Sequence, residues 1–231
     1  MPFGILLNCV AIICGGILGA SIGRRVPERL TRYLPDTFGL SAMLMGIYLM
    51  QNTEQLAAVV LALIVGAATG ELLQLESRLT SGLCTIGTKF PAISRGDHAS
   101  ELISLIVLFC FSGTGIFGAM NEAMTGDHTI LLSKSILDFF TALIFGTSLG
   151  SIVALVAIPQ SAIGLALFVC SSHIMPMIST VMMADFKGYG GVITLATGLK
   201  ILRIKEFRIF NMLPGLIWIF LFSALFSMLP S

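Results

Sequence analysis

Lys134 and Asp138 are the residues whose types and spacing most directly suggest chemistry. They lie four positions apart in an apolar stretch, so on a helix they share one face and can form an ion pair. An unpaired charge within hydrocarbon costs at least about 2.5–3.5 kcal/mol. A carboxylate beside an ammonium group can take up a proton or a cation, because either event changes the charge balance of the pair. The pattern therefore predicts an ion-binding pair, and the alternative is an ion pair that only packs helices.

A second polar group precedes this pair, between residues 112 and 128. Gly113, Gly115 and Gly118 fall within six residues, and each weakens a helix by about 1 kcal/mol relative to alanine. Close backbone approach to another helix or to a solute would offset that cost. The oxygen-bearing side chains that follow are Asn121, Glu122, Thr125 and Asp127. Oxygen groups suit hard cations and protons, so we predict an outer entrance here; the alternative is a polar external turn that caps the next helix.

Three more polar residues complete the predicted binding set: Asn8, Asp185 and Asn211. Asn8 lies inside the first apolar run, where a hydrogen bond across helices contributes about 0.6 kcal/mol. The sequence contains no zinc, haem or protease motif, and His173 beside two serines lacks a third partner for nucleophilic catalysis. We therefore predict that the chain is not an enzyme and uses no cofactor, and the sequence makes no prediction about a bound metal.

The composition explains why these polar residues stand out. Of 231 residues, 56% are apolar and 11% are charged, which is about half the charge of a soluble domain. A net charge of +1 offers no basic field for nucleic acid. We therefore predict an all-α membrane protein embedded in the lipid bilayer.

About eight transmembrane helices are predicted from the apolar runs. The predicted spans are 3–22, 37–50, 55–73, 102–117, 130–155, 161–172, 191–202 and 212–229. Lysine and arginine clusters follow spans one, three and seven. With eight spans all three clusters fall on one side, which the positive-inside rule assigns to the cytoplasm. Both termini are then predicted to lie outside.

Residues 39–50 align without gaps to residues 191–202, and both glycines of each segment match. The charge rule gives these two spans opposite directions, so the alignment predicts an inverted repeat, a common plan among secondary transporters. Both spans are also predicted to be short and broken at glycine, which points to a transport site; the alternative is a chance match of glycine-rich segments. The single membrane domain would comprise a first repeat at 1–73, an amphipathic cytoplasmic linker at 74–98, a central hairpin of spans four and five at 99–156, and a second repeat at 157–231.

Several motifs carry a resemblance to a known family. They are Ser112–Glu122, Met124–Asp127, Lys134-Ser135, Leu137–Thr141, Met182–Phe186, Leu195–Gly198 and Asn211–Pro214. In these motifs the chain resembles the YqgA-like family of bacterial inner-membrane proteins, a large prokaryotic family labelled a domain of unknown function. The similarity covers essentially the whole chain, and the run from Ser112 to Thr141 is the most specific. It implies an integral protein of the inner membrane of about this length, and it carries over no catalytic residue. In an inner membrane, the outside location that the charge rule predicts for both termini is the periplasm.

Together these features predict a secondary transporter of a small solute or ion, coupled to a proton or a cation. Its site would lie near the membrane midplane, where the two inverted halves meet the central hairpin. Asp138 would bind the coupling ion, and Lys134 would balance its charge or hold an anionic group. The alternatives are an ion channel and a non-transporting membrane scaffold or regulatory protein. The small-residue surfaces would allow a homo-oligomer.

Overall fold

The structure is a computed structural model that describes residues 1–23, 27–79, 81, 105–106, 109–110 and 112–228. The regular secondary structure of these residues is helical, and no strand occurs among them. The predicted all-α class is therefore confirmed for the described chain. Several predicted features lie outside the described residues: most of the linker at 74–98, part of span four at 102–117, and the basic residues Arg24, Arg25, Lys89 and Arg95.

The described helices follow the apolar pattern of the sequence. They are α1 (Phe3–Ile22), α2 (Glu28–Met50), α3 (Leu56–Leu72), α4 (Gly113–Thr125), α5 (Thr129–Leu149), α6 (Ala157–Ile174), α7 (Thr180–Ile201), α8 (Ile209–Met212) and α9 (Gly215–Ser227). Two 3-10 segments lie at Gly150–Val156 and Met175–Met177. Among the described residues, three stretches are long and apolar enough to cross a membrane, namely Phe3–Ile22, Thr129–Ile174 and Ile209–Ser227, and the apolar helix Leu56–Leu72 is shorter.

The prediction that spans two and seven are short and broken at glycine is wrong. Helices α2 and α7 are continuous over 23 and 22 residues, and both begin well before the predicted spans. Both N-terminal extensions carry charged residues, such as Glu28 in α2 and Asp185 in α7, so hydropathy omits turns whose backbone is nevertheless helical. The start of α7 is fixed by Ser179, whose side chain accepts a hydrogen bond from the amide of Met182 at 3.2 Å, as an N-cap does.

Two other predicted spans are interrupted, one at a glycine and one at a proline. Span five does not continue as an α-helix to residue 155, because α5 ends at Leu149 and Gly150 adopts φ +76°, a conformation that glycine adopts without steric cost. The last span is divided by Pro214, which has no amide proton to donate. The fully buried Tyr189 donates its hydroxyl to the carbonyl of Met212 at 2.7 Å and so satisfies the backbone at this interruption.

Residues Met1–Pro35 and Leu79–His173 form one compact group, the first unit. Its main contact is α1 against α5, and glycines allow the two backbones to meet. A methyl group at Gly146 would come within 2.7 Å of the carbonyl oxygen of Gly16, and Gly15 and Gly19 face other carbonyls of α5. Small residues at such crossings are typical of packed transmembrane helices. This crossing fixes the position of α1 against α5, on which the candidate site depends.

Residues Asp36–Arg78 and Ile174–Ser231 form the second unit. Here α2 and α7 contact each other through the four glycines of the aligned segments. A methyl group at Gly198 would lie 2.7 Å from the carbonyl oxygen of Gly39, and one at Gly191 would lie 2.7 Å from that of Gly46. The two helices are therefore antiparallel, and their backbones pack closely at these glycines.

Candidate functional site

The candidate site is a cluster of four polar side chains in the first unit, here called the Asp138 cluster: Asp138 and Lys134 on α5, Asn8 on α1 and Gln160 on α6. Lys134 Nζ forms an ion pair with Asp138 Oδ2. Asn8 Nδ2 donates to the same oxygen at 2.7 Å, and Gln160 Nε2 lies 3.2 Å from it. Gln160 Nε2 also donates to Asn8 Oδ1. Three nitrogen donors from three helices thus converge on one carboxylate oxygen.

The surrounding helices hold this cluster away from solvent. Lys134 and Asn8 are each 3% exposed, and Asp138 is 9% exposed. The Lys134 side chain lies against α4 at Gly115, where an added methyl group would come within 2.8 Å of Lys134 Cε. Its ammonium lies 6.0 Å from the centre of the Phe109 ring, at the limit of a cation–π contact. A larger residue at position 115 would displace the lysine.

A small cavity of about 20 Å³ adjoins the cluster and is lined by Asn8, Gln160, Gly115 and Ser161 among apolar side chains. This volume holds about one water molecule. Gln160, which lines the cavity, leaves its Oε1 buried without a hydrogen-bond partner. The cavity therefore has room and a polar acceptor for water, whereas a larger solute would need the helices to move.

Glu122 and Asn121 form a second buried polar group of the first unit, at the end of α4. They are 2% and 0% exposed. Glu122 Oε1 accepts a hydrogen bond from the amide of Gly4 at 2.6 Å, one of the amides that a helix start leaves without an internal partner. Asn121 Nδ2 donates to the carbonyl of Asp127 at 3.1 Å. Glu122 Oε2 and Asn121 Oδ1 are buried without partners.

Thr125 and Asp127 make hydrogen bonds within the turn between α4 and α5. The Thr125 hydroxyl donates to the carbonyl of Asn121 at 2.8 Å and accepts from the amide of Asp127 at 3.1 Å. Asp127 Oδ1 accepts from the amide of Thr129 at 2.9 Å. These contacts are those of a polar turn in which Asp127 accepts a hydrogen bond from the first residue of α5. Within the part of the chain that is described, no group of three or more His, Cys, Asp or Glu residues could hold a metal.

The glycines of the predicted entrance have different positions on α4. Gly113 is its first residue. Gly118 faces α5, where an added methyl group would come within 2.8 Å of Leu131. With Gly115 against Lys134, two of the three glycines allow α4 to approach α5 closely.

Asp185 and Asn211 lie in the second unit, each in its own hydrogen-bond network. Asp185 is fully buried, and its Oδ1 accepts from the amides of Glu54 and Gln55 at 3.1 and 2.7 Å, at the start of α3. Its Oδ2 accepts from the Ser223 hydroxyl at 2.6 Å.

Asn211 connects the end of α3 to the residues that follow it. Its Nδ2 donates to Glu71 at 2.6 Å, and its Oδ1 accepts from the amide of Glu76 at 2.9 Å. Arg208 pairs with Glu71, and Lys200 pairs with Glu76 at 3.3 Å. In these contacts Asn211, like Asp185, satisfies backbone and side-chain groups of the second unit.

Gln160 is the member of the Asp138 cluster that the sequence analysis missed. A signal for it exists, because Gly191 follows Gly39 by 152 residues and Gln160 follows Asn8 by the same 152. Extending the repeat alignment to the first span would have paired these two amide side chains.

Comparisons with known proteins agree with the resemblance seen in the motifs. The chain is 45% identical over 222 residues to the uncharacterised protein YqgA of Escherichia coli (strain K12), covering 94% of each chain. It is 26% identical over 219 residues to YdfK of Bacillus subtilis (strain 168), an uncharacterised membrane protein, covering 93% of each. No solved structure matches the chain. The apolar helices and the membrane relative together indicate a membrane protein. Because residues 3–224 match the model of a protein of unknown function, DUF554, the chain belongs to the DUF554 family.

Proposed function

We propose that this protein is a secondary transporter that moves a small solute or ion through coupling to a proton or a cation, with Asp138 as the group that binds the coupling ion. The observation that carries the proposal is the Asp138 cluster, a buried carboxylate paired with an ammonium beside a water-sized cavity. A buried ion pair is a weak source of stability, since apolar residues of similar volume often do as well or better. Ionisable residues within membrane helices are by default functional.

The charge balance of the cluster gives each residue a role. The Asp138 carboxylate holds Lys134 by its negative charge, so binding of a proton or cation to Asp138 weakens that pair. The buried ammonium then requires another partner, and an anionic group of a solute would supply one. Binding of the coupling ion and binding of an anionic solute would thereby favour each other. We therefore assign Asp138 to the ion and Lys134 to charge balance or to the solute.

The helix bounds support the inverted repeat that such a carrier would use. Helices α1 and α6 end at Ile22 and Ile174, and α2 and α7 begin at Glu28 and Thr180. Both pairs are separated by 152 residues, as are the aligned glycines. In the antiparallel contact of α2 with α7, Gly39 lies against Gly198 and Gly46 lies against Gly191. Each glycine of one segment thus contacts the residue that aligns with the other glycine, as in two equivalent helices related by a two-fold axis.

On this basis we infer eight spans in the bacterial inner membrane, with both termini in the periplasm and with inverted halves formed by spans 1–3 and 6–8. Asn8 and Gln160 would be equivalent amides from the two halves, and both bind Asp138. In transporters built this way, one repeat or bundle moves against the other around a fixed site. A carboxylate that accepts one hydrogen bond from each half would have its contacts altered directly by that movement.

Charge displacement on a solid-supported membrane tests the proposal without a known solute. Proteoliposomes are exposed to jumps of pH, and separately to jumps of monovalent cations at constant pH. We expect the wild-type protein to give a displacement current that saturates with ion concentration, and Asp138→Asn to abolish it. A current that rises steeply without saturation would identify a channel. The absence of charge movement and of ion flux under every gradient would identify a scaffold.

Two further variants control this experiment. Asp138→Asn leaves Lys134 buried and unpaired, which costs about 3–5 kcal/mol, so the double variant Lys134→Gln/Asp138→Asn removes the carboxylate without leaving a buried charge. Glu206→Gln removes an exposed carboxylate and is expected to behave as wild type. A wild-type current in a well-folded double variant would refute the role of Asp138.

A further inference from the structure

Glu122 has one oxygen that its structural contacts do not use. Oε1 already satisfies the Gly4 amide, while Oε2 is buried without a partner. A buried polar atom without a hydrogen-bond partner destabilises the folded protein. Capping α1 requires only one acceptor oxygen, which asparagine or serine also supplies. The second oxygen is therefore available to carry a proton.

His128 connects Glu122 to the surface. Its side chain is 49% exposed, against 1% for that of Glu122, and its Nδ1 lies 3.8 Å from Glu122 Oε1. The ring packs edge to face against Phe3, with 5.4 Å between ring centres. Imidazole exchanges protons with water near neutral pH. In the described contacts, α1 presents the Gly4 amide to the acid, and His128 brings a titratable ring beside it.

Glu122 and Asp138 bind α1 one turn apart. Glu122 accepts from Gly4 and Asp138 accepts from Asn8, and four residues advance a helix by about 6 Å. Ile5, Ala119 and Leu131 form a buried apolar cluster at this level, and all three also line the water-sized cavity. Water that enters when this apolar cluster opens could carry a proton between the two levels, and the closed cluster would block the transfer.

The donors around Asp138 favour a proton over a metal cation. A metal cation would have to replace its water shell with several oxygen ligands. Asp138 Oδ2 is instead approached by an ammonium and two amide nitrogens, and the cavity holds about one water molecule. A proton needs a single oxygen and no further space.

We propose that the coupling ion is a proton, which passes from His128 to the Glu122 carboxyl and from there through the cavity to Asp138. This inference rests on the proposed function of Asp138. His128 gives up its ring proton and recovers one from outside water, so the transfer is balanced. Glu122 holds the proton at Oε2 and releases it to water that enters toward the cavity as the apolar cluster opens. Asp138 accepts a proton from that water as its ion pair with Lys134 opens.

The experiment follows the displacement current after a pH jump in Glu122→Gln proteoliposomes. The amide keeps an oxygen for the Gly4 hydrogen bond but cannot relay a proton, so we expect the current to decay at least about tenfold more slowly, given what positioned proton donors contribute. The total displaced charge should remain, because Asp138 still accepts the proton. Glu122→Asp should restore much of the rate, and Glu206→Gln should match wild type.

A second variant keeps the test independent of the folding of Glu122→Gln. His128→Ala should slow the current, and external imidazole should restore it, because the side chain is half exposed. A wild-type decay rate in both Glu122→Gln and His128→Ala would overturn the relay and leave the role of Asp138 intact. A current that depends on Asp138 and follows cation jumps but not pH jumps would likewise overturn only the relay. A wild-type pH current in the Lys134→Gln/Asp138→Asn variant would overturn the proposed function together with the relay.

Discussion

Two buried aspartates, one in each compact unit, show how surroundings give the same side chain different roles. Asp185 is fully buried, and both of its oxygens are bound, one by two backbone amides at the start of α3 and one by Ser223. Asp138 remains 9% exposed, and its contacts are ammonium and amide side chains beside a cavity. Backbone donors are fixed by the fold, whereas side-chain donors can rotate to other partners. The comparison indicates that Asp185 holds structure and that Asp138 can exchange ligands.

The largest expected effect on stability is at Asp185, the aspartate that the comparison assigns to structure. Asp185→Ala removes the acceptors for two backbone amides and one hydroxyl, and each group left unpaired costs about 1–3 kcal/mol. We expect the three unpaired groups together to cost about 3–9 kcal/mol of stability, seen as a much lower melting temperature and yield in detergent. Asp185→Ala protein that melts with the wild type would show that the start of α3 does not depend on this cap.

A smaller loss of stability is expected when only one partner of the Asp138 cluster is removed. Lys134→Met leaves a buried carboxylate without its cation, which costs about 3–5 kcal/mol, whereas replacing both charges is often neutral. We therefore expect Lys134→Met to melt well below wild type and Lys134→Met/Asp138→Asn to melt near it. If the double variant is as unstable as the single one, the pair is structural, and Asp138 resembles Asp185 after all.

The sequence predicts the helices better than their ends. Span one at 3–22 coincides with α1, and span three at 55–73 differs from α3 by one residue at each end, because long apolar runs leave little freedom in a membrane. The break at Gly150 depends on a local conformation that hydropathy does not detect. The parts of α2 and α7 that precede the predicted spans contain charged residues and are nevertheless helical.

The contacts of the candidate site were likewise predictable from the sequence only in part. The contact of Lys134 with Asp138 follows from their spacing on one helix. The contacts of Asn8 and Glu122 join residues 130 and 118 positions apart, so they arise from helix packing that one sequence does not reveal. Gln160 could have been found only by extending the repeat to side chains other than glycine.

An intermediate effect on stability is expected where glycines allow helices to cross closely, and each unit contains such a crossing. Gly146→Ala places a methyl group 2.7 Å from the Gly16 carbonyl, and Gly46→Ala places one 2.6 Å from the amide of Leu195. Each should cost about 1–3 kcal/mol through overpacking. Only Gly146→Ala moves the helix that carries Asn8, so it alone should also reduce the displaced charge after a pH jump. Equal losses of charge in both variants would mean that the current reports stability and not the geometry of the Asp138 cluster.

The smallest effect is expected at Arg208, whose ion pair with Glu71 lies at the surface of the second unit. The two side chains are 66% and 57% exposed, and exposed pairs contribute little because water screens them. The hydrogen bond to Glu71 raises the pKa of Arg208 above its ordinary value, so the guanidinium stays charged throughout any practical pH range. Arg208→Gln should therefore leave the melting temperature within about a degree of wild type at every pH, and should leave the displacement current unchanged. A melting temperature that falls as far as that of Lys134→Met would mean that burial does not distinguish the ion pairs of this protein.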